Sequence, residues 1–157
     1  ITVTLHIPIC ISMKKLFISM AFVLVAIAAS AQKLENGKDS TTFKGYLYNA
    51  QYDVYIRMDF YHNNVTVPYQ EIYGPMPGFF GDKQDGRKWL FTAATIKDAK
   101  TAEIQIINDY GSEDLTATLT QINDSVFQLK QGKGSTIKIA RNRKWVKMPD
   151  ELDFVKK

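Results

Sequence analysis

The sequence contains few of the residues that proteins use for nucleophilic catalysis or for binding transition metals. Of 157 residues, one is cysteine and two are histidine. A single cysteine cannot form an internal disulfide, and so few thiol and imidazole groups cannot supply a zinc site built from them. No G-x-S-x-G motif is present. We therefore predict no cofactor, no metal and no enzymatic activity.

Long hydrophobic runs are also scarce, and the one clear run predicts export. Residues 16–27 are uncharged and apolar, residues 13–15 (Met-Lys-Lys) precede them, and residues 28–31 are small. A positive start, an apolar run of about 7–15 residues and an A-x-A exit are typical of a secretory signal peptide. A membrane anchor, the alternative, needs about 20 apolar residues. We predict cleavage between Ala31 and Gln32, which places the product in the periplasm or outside the cell. Since no cysteine follows the run, a lipoprotein is not expected.

The predicted signal peptide divides the chain into segments. We assign residues 1–12 to translated sequence upstream of the true start or to a fragment artefact, 13–31 to the signal peptide, 32–41 to a flexible leader, 42–149 to a β-barrel domain and 150–157 to a C-terminal tail. His6 and Cys10 lie in the first segment, so the mature protein would contain neither of them.

Apolar residues after the leader recur with a period of two, which predicts β-strands. In residues 52–62, the side chains of Val54, Ile56, Met58 and Phe60 fall on one face of a half-buried strand. The other predicted strands are residues 41–49, 65–73, 88–96, 102–108, 115–122, 126–131 and 135–142, with a short extension at 144–148 and at most one helical turn in 150–157.

About eight consecutive strands with short connections predict an all-β protein, an antiparallel meander closed into a barrel. The alternative is a two-sheet β-sandwich.

The predicted barrel resembles the lipocalin-like or calycin-like secreted domains. Lipocalins carry G-x-W near the first strand and a late basic residue that packs over that tryptophan. Here Gly45-Tyr46-Leu47 lies in the first strand, and Arg141 and Arg143 lie late and are followed by Trp145. The chain is also similar to small exported proteins of unknown function from Gram-negative bacteria, a resemblance that implies a location and no activity.

An eight-stranded barrel can hold one small ligand. Our first functional hypothesis is therefore an exported binding protein that holds a small apolar or amphipathic ligand in the barrel. The residues expected near the barrel mouth are Tyr55, Arg57, Met58, Phe60, Phe79 and Phe80. The last two belong to residues 74–81, a segment rich in glycine and proline, where the rings either plug the barrel or project towards a ligand or partner.

The second hypothesis is a filled barrel that acts through its surface as an inhibitor, an immunity factor or a component of an envelope complex. Residues 130–147 contain seven basic residues and no acidic one, which indicates a solvated basic face or a site for an acidic partner. Nucleic acid is not an expected partner, and no membrane span is expected after cleavage. The candidate partner-binding residues are Met76, Arg141, Arg143, Lys144 and Trp145.

Two further features leave alternatives open. Oxygen-rich side chains cluster in residues 108–114, which indicates a solvated turn or, more weakly, a calcium site formed by Asp109, Glu113 and Asp114. Seven of the eight tyrosines lie between residues 46 and 73. They predict cross-strand pairs that stabilise the sheet or a tyrosine-lined surface or cavity that binds sugar, lipid or protein.

Overall fold

The computed structural model describes residues 41–157, and these residues are almost entirely β-structure. No helix among them is long and apolar enough to cross a membrane. The signal peptide and most of the leader predicted from the sequence lie in residues 1–40, outside the described part. The strands are β1 (Lys44–Asn49), β2 (Val54–Asp59), β3 (Gly78–Asp82), β4 (Lys88–Ile96), β5 (Thr101–Asn108), β6 (Asp114–Gln121), β7 (Val126–Gly134), β8 (Lys138–Arg141), β9 (Lys144–Lys147) and β10 (Glu151–Lys156), with a 3-10 turn at Glu71–Tyr73.

Eight of these strands close into a barrel. The order around the barrel is β1-β10-β7-β6-β5-β4-β3-β2, and every pairing is antiparallel. Strands β8 and β9 pair only with each other and form a separate hairpin. The prediction of a closed antiparallel meander is confirmed, and the sandwich does not form. Because the barrel is closed, its strands have no unpaired edges.

Side chains that alternate along each strand fill the barrel. In β2, Val54, Ile56 and Met58 are buried, whereas Arg57 between them is exposed, as the period of two predicts. The inward side chains of all eight barrel strands belong to one cluster, which we call the main core. Its largest fully buried members are Phe43, Phe80, Phe91, Phe127 and Phe154.

The connection between β2 and β3 differs from the prediction. Residues 65–73 do not form a strand: Val65 makes an isolated bridge to Met76, and a 3-10 turn lies between them. The segment expected to be a loop instead contains β3. The connection covers the outer face of the barrel, where Val67, Met76, Phe79 and Leu90 form a second buried cluster. Strand β3 is therefore buried on both faces.

Close packing explains the glycine at the start of β3. A Cβ atom on Gly78 would lie 2.3 Å from the carbonyl oxygen of Arg57 in the neighbouring strand, a distance that real Cβ atoms do not adopt. The glycine thus permits a close approach between two backbones, which a reading of glycine as loop-forming does not anticipate.

The C-terminal residues also require a correction. Residues 150–157 are neither a tail nor a helical turn: β10 pairs with β7 on one side and β1 on the other, and so closes the barrel. Leu152 and Phe154 point into the main core. Residues 126–131 and 135–142, predicted as consecutive strands, do not pair with each other: β7 pairs with β6 and β10, while β8 pairs with β9.

Candidate functional site

The β8–β9 hairpin folds over one end of the barrel. Its turn residues Asn142 and Arg143 have φ angles of 50° and 63°, the left-handed pair that a tight two-residue hairpin turn requires. Ile137, Ile139 and Met148, at and beside the hairpin strands, are buried in the main core. The hairpin is therefore packed onto the barrel as a cap.

A bidentate ion pair holds the cap in place. The Arg141 guanidinium donates to both carboxylate oxygens of Asp82, at 2.5 and 3.0 Å, and to the carbonyl oxygen of Tyr52 at 2.6 Å. The Asp82 side chain is 4% exposed. Paired N–H···O bonds of this kind are directional, so Arg141 fixes both the position and the orientation of the hairpin. The carboxylate raises the pKa of Arg141 further.

Two more contacts connect the cap to the rim. The indole N–H of Trp89 in β4 donates to the carbonyl oxygen of Lys138 at 3.0 Å. The Lys138 ammonium lies 2.5 Å from a carboxylate oxygen of Glu113, in the loop between β5 and β6. The hairpin is therefore bound to three separate parts of the rim, through Asp82, Trp89 and Glu113.

A cavity of about 280 Å³ lies between the rim and the cap. Its wall combines apolar groups with charged ones, and both tryptophans of the chain contribute to it. The lining residues that matter here are Trp89, Tyr110, Trp145, Arg87, Lys88 and Ala140. A concave site with apolar walls and a few polar groups has the general character of a small-molecule site.

We call this cavity the hairpin cavity. Exposed aromatic rings lie at its mouth. Tyr110 is 75% exposed and Trp145 is 59% exposed. The Arg87 guanidinium lies over the Trp145 ring, 4.5 Å from its centre, within the range of a cation–π interaction. Asp85 accepts two hydrogen bonds from the Arg87 side chain, at 2.6 and 2.7 Å. This guanidinium lowers the pKa of Asp85 to about 2.

The least expected member of the wall is Lys88, which is 6% exposed. Its ammonium makes one hydrogen bond within residues 41–157, to the carbonyl oxygen of Gly86 at 2.7 Å, and no ion pair there. Burial lowers its pKa, against the opposing influence of Asp109 and Asp85. Buried lysines are rare unless they are paired, so Lys88 is a polar group with unused hydrogen-bonding capacity.

The predicted ligand-binding residues do not form one site. Met58, Phe60 and Phe80 belong to the main core, inside the barrel. Tyr55 and Arg57 lie on the outer face of β2, and Phe79 is covered by the β2–β3 connection. Both phenylalanines of β3 are at most 2% exposed, so their rings are packing groups on opposite faces of the wall.

The predicted partner-binding residues are mostly brought together. Arg141, Arg143, Lys144 and Trp145 all lie on the hairpin, whereas Met76 is buried in the second cluster.

Ion pairs neutralise part of the positive charge of residues 130–147, the basic stretch. Lys130 pairs with Glu151, Lys138 with Glu113 and Arg141 with Asp82. The exposed positive charge of the hairpin therefore comes from its turn and from β9.

The acidic loop does not form a metal centre. Within residues 41–157, no three acidic, histidine or cysteine side chains come together in a group that could hold a metal ion. Glu113 pairs with Lys138, and the Asn108 side chain accepts a hydrogen bond from the Ser112 backbone at 2.9 Å. The loop is thus organised by its own hydrogen bonds.

Sequence reasoning found only part of the wall of the hairpin cavity: Phe80, Asp109, Glu113 and Trp145, each proposed for another role, line it, but the remaining residues were missed. Lys88 and Trp89 were assigned only to a strand, and Asp85 and Arg87 were not singled out. A weak signal was present, since residues 82–88 contain three basic and two acidic side chains, an unusual density beside a tryptophan. The partner of this segment, the β8–β9 hairpin, is about 50 residues distant in sequence, and local patterns do not reveal that contact.

Comparison of the chain with protein families, with curated proteins and with solved structures gave no match. The functional assignment therefore depends on the geometry of the barrel and of its capped end.

Proposed function

We propose that this protein is a non-enzymatic, lipocalin-like binding protein that holds a small amphipathic ligand in the hairpin cavity. The observation that carries this proposal is a concave site of about 280 Å³ whose wall contains both tryptophans and a buried lysine. The main core fills the middle of the barrel. This packing supports a ligand site at the capped end of the barrel in preference to one among Met58 and Phe60.

The wall indicates the chemistry of the ligand. Exposed Tyr110 and Trp145 offer flat apolar faces for a planar group. Lys88 offers N–H donors to an acceptor, and a bound acceptor would satisfy an ammonium that is otherwise poorly paired. A molecule with a planar apolar part and a polar acceptor group matches both features.

Fluorescence tests the proposal, because both tryptophans of the chain line the cavity. The probe is 8-anilinonaphthalene-1-sulfonate, which has an aromatic body and an anionic group. We expect saturable binding with energy transfer from tryptophan. Ala140→Leu, which adds volume to the cavity wall, should weaken binding about tenfold, equivalent to about 1.4 kcal/mol.

The matched control is Ala50→Leu, the same change on an exposed turn, which should leave binding unchanged. Near-ultraviolet circular dichroism must show that each variant is folded, since partly folded proteins also bind this dye. Equal binding by wild type and Ala140→Leu would contradict the cavity as the site. Native mass spectrometry of the purified protein would show whether it retains a natural ligand.

We also propose that the protein is exported and acts in the periplasm or outside the cell after cleavage between Ala31 and Gln32. The apolar run and the A-x-A exit support this proposal. Mass analysis of the exported protein should find Gln32 at the N-terminus. An N-terminus at Met13 would contradict cleavage.

A second candidate function is the binding of an acidic protein through the outer face of the hairpin. Arg143, Lys144 and Lys147 are exposed and make no ion pair within residues 41–157. This charge would attract an acidic surface, and salt would weaken the association. Chemical cross-linking in cells expressing Lys144→Glu would lose a partner that wild type captures; an unchanged cross-linking pattern would contradict this candidate.

A further inference from the structure

A groove on the outer wall of the barrel carries features that the hairpin cavity does not explain. It runs along β1, β2 and β3, and the β2–β3 connection forms its far side. We call it the tyrosine groove, and it is lined by Tyr46, Tyr55, Arg57, Thr66, Pro68 and Lys83. Strand register places Tyr46 beside Arg57 and Tyr48 beside Tyr55, so these side chains share the outer face.

The floor of the groove is an ordered aromatic surface. The rings of Tyr46 and Tyr55 stack, with centres 5.3 Å apart and planes 24° apart. The Tyr55 ring meets Phe79 edge-on at 5.8 Å. It also lies across Gly81, where a Cβ atom would be only 2.4 Å from the ring. The rings are therefore held in place before any ligand arrives.

Two positively charged side chains, Arg57 and Lys83, line the groove beside these rings. Arg57 is exposed and makes no ion pair within the described residues. The Lys83 ammonium lies 5.7, 5.8 and 5.9 Å from the ring centres of Tyr46, Tyr48 and Tyr55, which fits cation–π contacts. Neither cation forms an ion pair with a carboxylate in the described part of the chain.

The neighbouring carboxylates are engaged elsewhere. Asp53 accepts hydrogen bonds from the Tyr48 hydroxyl at 2.8 Å and from Gln84 at 3.2 Å. Asp82 is bound by Arg141, and Asp59 by Lys44 and His62. The charge of Arg57 and Lys83 is thus not neutralised by close contacts, and the groove presents positive charge beside flat rings.

The groove also contains an unsatisfied polar atom. The hydroxyl of Tyr46 is buried and makes no hydrogen bond of ordinary geometry in residues 41–157, although the Lys83 ammonium is close enough to interact with it, and this interaction raises the pKa of Lys83. A buried hydroxyl without a partner is unusual in folded proteins. The contact of the Tyr46 hydroxyl with Lys83 helps to hold that ammonium beside the tyrosine rings.

We propose that the tyrosine groove binds an acidic saccharide, a sugar chain that carries carboxylate or sulfate groups. The negative faces of tyrosine rings attract the weakly positive C–H edges of a sugar ring. A guanidinium binds a carboxylate or sulfate through paired hydrogen bonds. Of the residues that line the groove, only Asp82 also lines the hairpin cavity, and its carboxylate is paired with Arg141. The two tyrosines, Arg57 and Lys83 would therefore bind the saccharide without using the cavity.

Titration calorimetry with oligosaccharides of dextran sulfate tests the proposal, with uncharged dextran of the same length as the reference. Wild type should bind the sulfated chain, and the uncharged chain at least about tenfold more weakly, because hydrogen bonds to charged groups are stronger than those between neutral groups. Arg57→Gln should lose about tenfold in affinity by the same reasoning. The matched control is Lys100→Gln in the β4–β5 turn, which removes one exposed positive charge from a residue that lines neither the groove nor the hairpin cavity. It should change affinity less than about twofold, as expected for a screened charge outside the site.

The remaining outcomes overturn the proposal. If Arg57→Gln and Lys100→Gln weaken binding equally, the protein attracts polyanions through its whole basic surface. If inorganic polyphosphate binds as tightly as the sulfated chain and Tyr46→Leu leaves both affinities unchanged, the tyrosines do not recognise a sugar ring. Circular dichroism spectra and unfolding midpoints show that each variant is folded.

Discussion

The middle of the barrel and its capped end contain different kinds of side chain. The middle consists of apolar side chains, with five phenylalanines fully buried. The capped end contains Asp82, Arg141, Asp85, Arg87 and the poorly paired Lys88 in and around the hairpin cavity. Burial of apolar surface stabilises a fold, whereas buried charges cost desolvation energy even when they are paired. The comparison indicates that the stability of the fold comes mainly from the middle, and that the charged groups of the capped end contribute less to it.

The difference also extends to mobility. The main core connects all eight barrel strands, so its opening requires global unfolding. The hairpin pairs with no barrel strand and is held by a few side-chain contacts and three buried apolar residues. Segments with few such contacts open at lower free-energy cost than a core. The cap is therefore the part of the barrel domain that is expected to open most readily.

The largest predicted effect is in the middle of the barrel. Phe91 is fully buried and packs edge-on against Phe60 at 6.2 Å. Phe91→Ala should lower the free energy of unfolding by about 3–5 kcal/mol, because it removes buried apolar contacts and leaves a cavity. Urea unfolding measures this change, with exposed Thr95→Ala as the control. If Phe91→Ala lowers the free energy of unfolding no more than the control does, the middle of the barrel is not the main source of stability.

A smaller effect is predicted at the cap. Arg141→Met leaves the Asp82 carboxylate, which is 4% exposed, without its cation. A fully buried pair loses about 3–5 kcal/mol in this way, and partial exposure of Arg141 reduces the expected loss to about 2 kcal/mol. Hydrogen exchange should accelerate in β8 and β9 and remain unchanged in β5 and β6. Arg143→Met, in the adjacent turn, is the control, and equal protection of the hairpin in both variants would contradict the role of Arg141.

The smallest effect concerns pH. The pKa of Asp85 is lowered from 3.8 to about 2 by Arg87. A lowered carboxyl pKa contributes stability above the unfolded-state value, and this stability is lost as the pH falls through the folded-state value. The stability difference between wild type and Asp85→Asn should therefore be constant above pH 4 and decrease between about pH 4 and pH 2. Thermal unfolding measures it, with exposed Asp124→Asn as the control; a difference that does not vary with pH would contradict the Asp85–Arg87 pair.

Strands with one buried and one solvent-exposed face were predictable from the sequence. The alternation of residues 54–58 predicts both the strand and its inward face, because water and core impose different residues on successive positions. Strand β3 was not predictable in this way. The β2–β3 connection covers its outer face, so Phe79 and Phe80 are both apolar and no alternation remains.

The sequence predicted that the sheet closes into a barrel, but it did not identify the strand that closes it. Leu152 and Phe154 show the alternation of a strand, but six residues at the end of a chain are a weak local signal. What makes them a strand is pairing with β1, whose residues lie more than 100 positions earlier. Such pairing gains its free energy from contacts distant in sequence, which local propensity does not reveal.

The sequence by itself determined that residues 42–149 form, for the most part, an antiparallel β-meander, since strand periodicity and turn residues are local properties of the chain. It also carried the evidence for an export signal and the scarcity of thiol and imidazole groups. Only the tertiary structure decided that the middle of the barrel is filled, that the hairpin caps one end and that Tyr46, Arg57 and Lys83 share a groove. Each of these depends on side chains far apart in sequence, and their meeting is determined by how the barrel closes.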